Sequence, residues 1–230
     1  MSFTDEAFHG VFTGKVLLCL SKDSKEPKNN DFLYRINPYF AVDVKNIKPV
    51  QKIIIDDKAV SFPVKLSEIE RGQYFVQAVW DRNLGGRVIG KSAGNMFSSS
   101  SVITITLERN KFFNLSCNQV IPEMPFVNTT SVKEIKIISA LLSAQQGKPV
   151  TIAAAVIIPK NYNSDTLKKF PLYLGITGVG GDYHNASGKQ GFGKEIDSVQ
   201  YITVSLDGNC ATGISGYANS DNNGPGAMLW

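Results

Sequence analysis

The sequence predicts a two-part chain: an all-β sandwich of immunoglobulin-like type over residues 1–125, followed by the start of an α/β sheet over 126–230. Three observations predict it. The first half carries short runs rich in Val, Ile and aromatics, separated by turn signals and without intervening amphipathic helices. Beyond Ser131 the apolar runs become continuous rather than alternating, as in a sheet covered on both faces. Between two of these later runs lies a glycine cluster, "GITGVGG" at 175–181, placed where a strand ends.

In the first half, strands are expected at 14–21, 39–46, 51–57, 72–82 and 101–108. The fourth is the clearest, with Tyr74, Val76, Ala78 and Trp80 on one face and Phe75, Gln77, Val79 and Asp81 on the other. Asn29-Asn30-Asp31, Asp56-Asp57-Lys58, Arg71-Gly72 and Asn83-Leu84-Gly85-Gly86 punctuate the runs. Leu66–Glu70 reads as one helical turn. Phe32, Tyr34, Tyr39 and Phe40 have two readings, packing residues or a platform for a sugar ring. Residues 110–130, with Pro122 and Pro125, read as a linker or as a strand that wraps from one unit to the next.

In the second half, "VKEIKIISALLS" and "KPVTIAAAVIIP" flank Gln145-Gln146-Gly147 and read as a strand hairpin. "KKFPLYLGITG" at 168–178 reads as a buried central strand. A polar stretch at 186–197 has room for one short helix, and "VQYITVSLDGN" at 199–209 reads as a further buried strand. Strand, glycine loop, short helix and strand in that order open an α/β sheet with a site at the strand ends.

Composition excludes several classes. A chain of 230 residues with 43% hydrophobic and 19% charged residues can bury a core. Net charge is +4 and its lysines are scattered, so a nucleic-acid surface is not expected. No apolar run approaches the ~20 residues of a membrane-spanning helix. The N-terminus lacks a basic region followed by an apolar one, so the sequence as given shows no signal peptide and the compartment stays open. Three cysteines and two histidines without ligand spacing predict neither a disulfide framework nor a metal site. No cofactor is expected: the glycines at 175, 178, 180 and 181 do not spell the dinucleotide motif, and "GKQGFGK" is not a phosphate loop.

A hairpin, then "FPLYLGITGVGGDYH", then "YITVSLDGN…YANSDNNGP" resembles the front half of the α/β-hydrolase esterases. The nearest resemblance is to esterases like esterase D and enterochelin esterase that carry an N-terminal β-domain; "FPVKLSEIERGQYFVQAVWDRN" and "AGNMFS" extend it through most of the chain. The resemblance implies a serine hydrolase acting on small-molecule carboxylic esters, with an oxyanion-binding loop after the third strand. By position Val179 supplies an N–H donor, while Gly178, Gly180 and Gly181 let the loop bend; Thr177 stands where the family has His. Asp182 and His184 then line the pocket mouth, or else bond local backbone.

The nucleophile is the difficulty. The hydrolase-like half contains no G-x-S-x-G, and no histidine follows His184. "GKSAG" at Gly90–Gly94 places Ser92 centrally, but turn-rich sequence precedes it and loop and strand follow, whereas an elbow serine joins a strand to a helix. The expectation is therefore a fragment that stops before the nucleophile, inactive alone, with an open sheet edge prone to association. The alternative is a carbohydrate- or protein-binding β-sandwich module without catalysis.

Overall fold

The computed structural model describes residues 1–29, 37–82, 84, 88–106, 112–147, 149–159, 162, 169–176, 182–189, 195–196 and 199–207. They are mostly β, and the chain divides into two compact units, Met1–Glu123 and Met124–Trp230.

The first unit contains β1 (Ser2–Phe3), β2 (Phe12–Ser21), β3 (Tyr39–Ile47), β4 (Val60–Phe62), β5 (Gly72–Asp81), β6 (Met96–Ser98), β7 (Ser101–Ile105) and β8 (Ser116–Val120). All eight belong to one curled sheet in the order β1-β8-β6-β5-β2-β3-β4, with β7 also on β5. The alternation of β5 places Tyr74, Val76, Ala78 and Trp80 in the main core, together with Val16, Leu18 and Leu20 of β2 and Phe40 of β3. Trp80 is enclosed by Phe3 and Phe12, each at 4.9 Å between ring centroids and edge-on. The outer face is covered as well: Leu17, Cys19, Ala41 and Val79 form a second buried cluster against Ile89 and Phe97. β2 therefore buries successive residues on both sides, which its unbroken "VLLCL" run encodes.

Two buried amides hold irregular places in this sheet. Between β6 and β7 the ladder along β5 breaks at Ser99 and Ser100. There Gln77 Nε2 donates to the Ser98 carbonyl (3.1 Å) and the Ala78 N–H donates to Ser98 Oγ (3.0 Å). Past the end of β5, Asn95 Oδ1 accepts from the Arg82 N–H (2.9 Å), and its Nδ2 donates to the Ile89 carbonyl (3.0 Å). Such pairing offsets the cost of burying two amides in an apolar unit.

Two readings of the first unit are revised. Residues 51–56 form no strand, although Ile53 and Ile55 pack on the core and Ile54 is exposed. Their backbone is tied to the N-terminus by isolated bonds: Ile53 N–H to the Met1 carbonyl (2.8 Å), and the Met1 ammonium to the Ile53 carbonyl (2.7 Å). The nearest strand is instead Val60–Phe62. The segment 110–130 supplies β8, a strand of the sheet, and runs without regular structure over 121–129.

The second unit contains β9 (Val132–Ile138), α1 (Ala140–Gln146), β10 (Thr151–Ile157), β11 (Leu172–Gly175), a two-residue ribbon of β12 (Glu195–Ile196) and β13 (Val199–Gln200), and β14 (Ile202–Leu206). The main sheet has the order β11-β14-β10-β9. β9 and β14 both run antiparallel to β10, and β11 runs parallel to β14, from Leu172 beside Ile202 to Gly175 beside Ser205.

The hairpin pairing of β9 and β10 is as read, but its connection is not. "ALLSAQQ" forms α1, because Ala, Leu and Gln are strong helix formers and the run holds no β-branched residue. Gly147, at φ +64°, takes the left-handed position that ends it. β11 is not the buried central strand its apolar run predicts. Leu172, Tyr173 and Leu174 are all more than half exposed, and among the described residues β14 is the only strand beside it. A run apolar on both faces reads as buried only if layers cover both.

Candidate functional site

The site is built on β10. Ala153 and Ala155 leave a shallow place on the sheet face, and Tyr183 seats there, 5% exposed, in a cluster with Phe126 and Ala186. The β9–β10 register sets Glu134 beside Ala155 and Lys136 beside Ala153. The Tyr183 hydroxyl donates to Glu134 Oε1 at 2.9 Å, and the Lys136 ammonium lies 3.2 Å from the same oxygen. Burial, then the hydrogen bond and charge of Glu134, hold the phenol well above its ordinary pKa. It is a neutral donor throughout the physiological range.

Tyr183 begins a 3-10 turn, Tyr183–Ala186, whose N-terminal cap is Asp182. Asp182 is extended, and its Oδ1 accepts from the His184 N–H at 2.7 Å. The His184 ring packs 4.2 Å from Tyr183 and 5.8 Å from Phe126, and Phe126 stacks on Tyr183 at 5.7 Å with 6° between planes. His184 Nδ1 stands 3.7 Å from Asp182 Oδ1. The segment 126–129 clamps the turn from the other side: the Val127 N–H donates to Ser187 Oγ (2.8 Å), the Gly188 N–H to the Val127 carbonyl (2.9 Å), and Thr129 Oγ1 to the Lys189 carbonyl (3.0 Å). Gly188, at φ +68°, allows the chain to double back for this contact.

Asp182 and His184 are thus brought together, and the Asp182 carboxylate serves the local backbone as a cap. Gly178, Val179, Gly180 and Gly181 lie outside the described residues. Their flanks are defined: Gly175 closes the ladder on one side, and the clamped turn from Asp182 begins on the other. Tyr183, Glu134 and Phe126 are members that the sequence does not announce. Tyr183 sat inside the motif, but Glu134 is one charge in an alternating strand, and only the register shows which residue it faces.

Ser92 belongs to the first unit. It follows the 3-10 turn Ile89–Lys91 in an extended conformation, is 7% exposed, and donates its hydroxyl to the Val88 carbonyl at 2.9 Å. A turn and then β6 follow it, so no helix begins at this serine.

Among the described residues no group of His, Cys, Asp and Glu could hold a metal ion, and no helix is long and apolar enough to cross a membrane. No protein-family model matches the chain, and no curated protein matches it.

Proposed function

We propose that residues 126–230 form the opening portion of an α/β-hydrolase sheet, and that 177–182 is its oxyanion loop, in a chain related to the serine carboxylic-ester hydrolases. The unit before it takes the place of their N-terminal β-domain, of immunoglobulin-like type. The observation that carries this reading is the strand order: an antiparallel opening pair, then β11 and β14 parallel and joined by a crossover, with the glycine loop leaving the end of β11. Leaving out the β12–β13 ribbon, β11 is the third strand of the unit, the position from which an α/β-hydrolase draws one oxyanion donor.

Attack on an ester moves negative charge onto the carbonyl oxygen. Main-chain N–H groups fixed in place beforehand stabilise it, each donor contributing roughly 3 kcal/mol. Val179 N–H is the proposed first donor, with Gly178, Gly180 and Gly181 allowing the loop to bend. Tyr183, anchored on Glu134, holds the far end of that loop to the sheet.

Ser92 lacks the elbow setting, and 126–230 holds no G-x-S-x-G. These 230 residues are therefore expected neither to hydrolyse an aryl acetate nor to take up a serine-directed fluorophosphonate. The loop itself is tested with an aryl methylphosphonate, a stable tetrahedral anion. Its titration should shift the backbone amide resonances of Val179, Gly180 and Gly181, and Val179→Pro, which has no N–H, should abolish the response. Unchanged loop amides at saturating phosphonate would sink the assignment.

A second reading, a carbohydrate- or protein-binding β unit without catalysis, is favoured by Tyr39 and Phe62. They pair across β3 and β4 with ring centroids 5.9 Å apart, and Phe62 is exposed. Glycan-array binding that disappears in Tyr39→Ala and Phe62→Ala would support it.

A further inference from the structure

The main sheet of the second unit has two unlike faces. Tyr183, Phe126 and the turn at 183–186 cover one of them, over Ala153 and Ala155. The cross-strand register defines the other. Ile152 lies beside Ile137, Ala154 between Ile135 and Leu206, and Val156 between Lys133 and Val204. Leu174 lies beside Val204, and Leu172 beside Ile202. Directly paired residues point to the same side of a sheet and successive ones to opposite sides, so these positions form one continuous face. Every position of the four strands on this face belongs to the described residues, and all but Lys133 are apolar.

This face is open. Ile137 is 59% exposed, Leu172 61% and Leu174 57%, and Ile135 and Ile152 are more than a third exposed. Ala154, short beside Ile135 and Leu206, is the low point of the face and is itself buried. At these exposures the five large side chains leave roughly 500 Å² of contiguous apolar surface, toward the upper end of what a monomer shows. Two such faces in contact would remove roughly 1,000 Å² from water, the size at which a specific interface begins.

We propose that this face packs on the same face of a second copy of the chain, the two joined about a two-fold axis as a sheet-on-sheet dimer. Side chains that form no hydrogen bonds, with one charge among them, cannot select a partner by polar contacts; they select by shape. A pleated, twisted surface of Ile, Val and Leu is matched by another of the same pleat and twist, at the ~10 Å spacing of stacked sheets. A second copy supplies that surface. A two-fold contact also closes after two chains and leaves no apolar face to recruit a third. Lys133 is exposed on the outer strand β9, where its long stem can carry the ammonium to water at the rim. The inference rests on strand register and exposure and makes no use of the oxyanion loop.

Sedimentation velocity of the full chain tests it. The chain should pass from monomer to dimer with a dissociation constant on the order of 1–100 μM, as suits a small interface. Ile137→Lys and Leu174→Lys fall on the two outer strands, β9 and β11. Each should weaken the dimer at least about tenfold by placing a charge in the contact. Ile54→Lys, at an exposed position of the first unit, should change it less than about threefold. Where a lysine variant fails to fold, methyl NMR of the wild-type chain over the same dilution takes its place. The methyls of Ile137, Ile152 and Leu174 should shift with the dimer fraction, while those of Leu18 and Leu20 stay fixed. A chain still monomeric at about 100 μM, or methyl shifts confined to other residues, would overturn the proposal. So would a dimer weakened by Leu174→Lys but not by Ile137→Lys, which would be pairing along the β11 edge. The phosphonate titration reads the glycine loop separately, so the two proposals fail independently.

Discussion

The hydroxyl of Tyr183 donates to Glu134 Oε1 at 2.9 Å across 49 residues of chain. It ties the turn that follows the glycine loop to the first strand of its sheet. Tyr183→Phe keeps the stacked ring and removes only this bond, so it should lower the stability of the second unit by about 1.5–3 kcal/mol, the range for bonds to a charged group. Lys136 remains beside Glu134 and should hold the loss to the lower end. Urea unfolding of Tyr183→Phe, Glu134→Gln and the double variant should give a coupling of at least about 0.5 kcal/mol; additivity would mean that the contact does not anchor the turn.

Among the described residues, three acids whose pKa is raised by burial make the fold sensitive to alkali. Burial pushes the thiols of Cys19 and Cys117 from 9.0 up to about 12, and Tyr183 is raised for the reasons given above. A raised folded pKa means that the unfolded chain loses its proton first. Stability from these groups is complete below pH ~9, falls as pH rises through the unfolded thiol and phenol values, and is lost as pH passes the folded ones. Urea midpoints should be flat from pH 7 to about 8.5 and decline steadily above that. Cys19→Ala should flatten part of the decline; a slope unchanged in that variant would place the linkage elsewhere.

Gly90 and Ser92 share one turn and should respond in different ways. Gly90→Ala drives a methyl into the Lys28 carbonyl, with backbone on both sides, and should cost about 3 kcal/mol, the upper end for overpacking. Ser92→Ala loses one hydroxyl bond to Val88 and should cost about 1 kcal/mol. Thermal melts distinguish the two. Fluorophosphonate labelling that maps to Ser92 by mass spectrometry would contradict its assignment as a turn residue.

Phe3 is fully buried and packs edge-on against Trp80 from a strand of two residues. Phe3→Ala should remove about 3–5 kcal/mol, as for other large-to-small aromatic changes in a core. Phe3→Leu should recover more than half of that. Equal losses for Leu and Ala would show that ring geometry, rather than volume, sets the contribution.

The sequence reveals most where a single strand carries its own pattern. The β5 alternation and the unbroken β2 run identify the residues that bury on each face. It reveals less where a residue's partner is distant in the chain. β8 was hidden in a proline-containing stretch because its stability comes from pairing with β6 and β1, not from its own composition. Residues 51–57 mislead for the opposite reason: their alternation is real packing, but the Ile53 amide bonds to the Met1 carbonyl and the Gln51 amide to the Lys48 carbonyl rather than to a neighbouring strand. At the candidate site, Asp182 and His184 stand out in the glycine motif. Tyr183 acquires its role only through a carboxylate placed by the β9–β10 register. Ala140–Gln146 shows that local propensity can outweigh an apolar run when β-branched residues are missing.

Cys19 and Cys117 are buried in separate clusters on opposite sides of one sheet. The two sulfurs cannot meet while the strands stay paired. A cross-link between them is therefore a record of having been oxidised before the sheet formed. In an oxidising compartment the yield of correctly folded protein is set by a race between strand pairing and thiol chemistry.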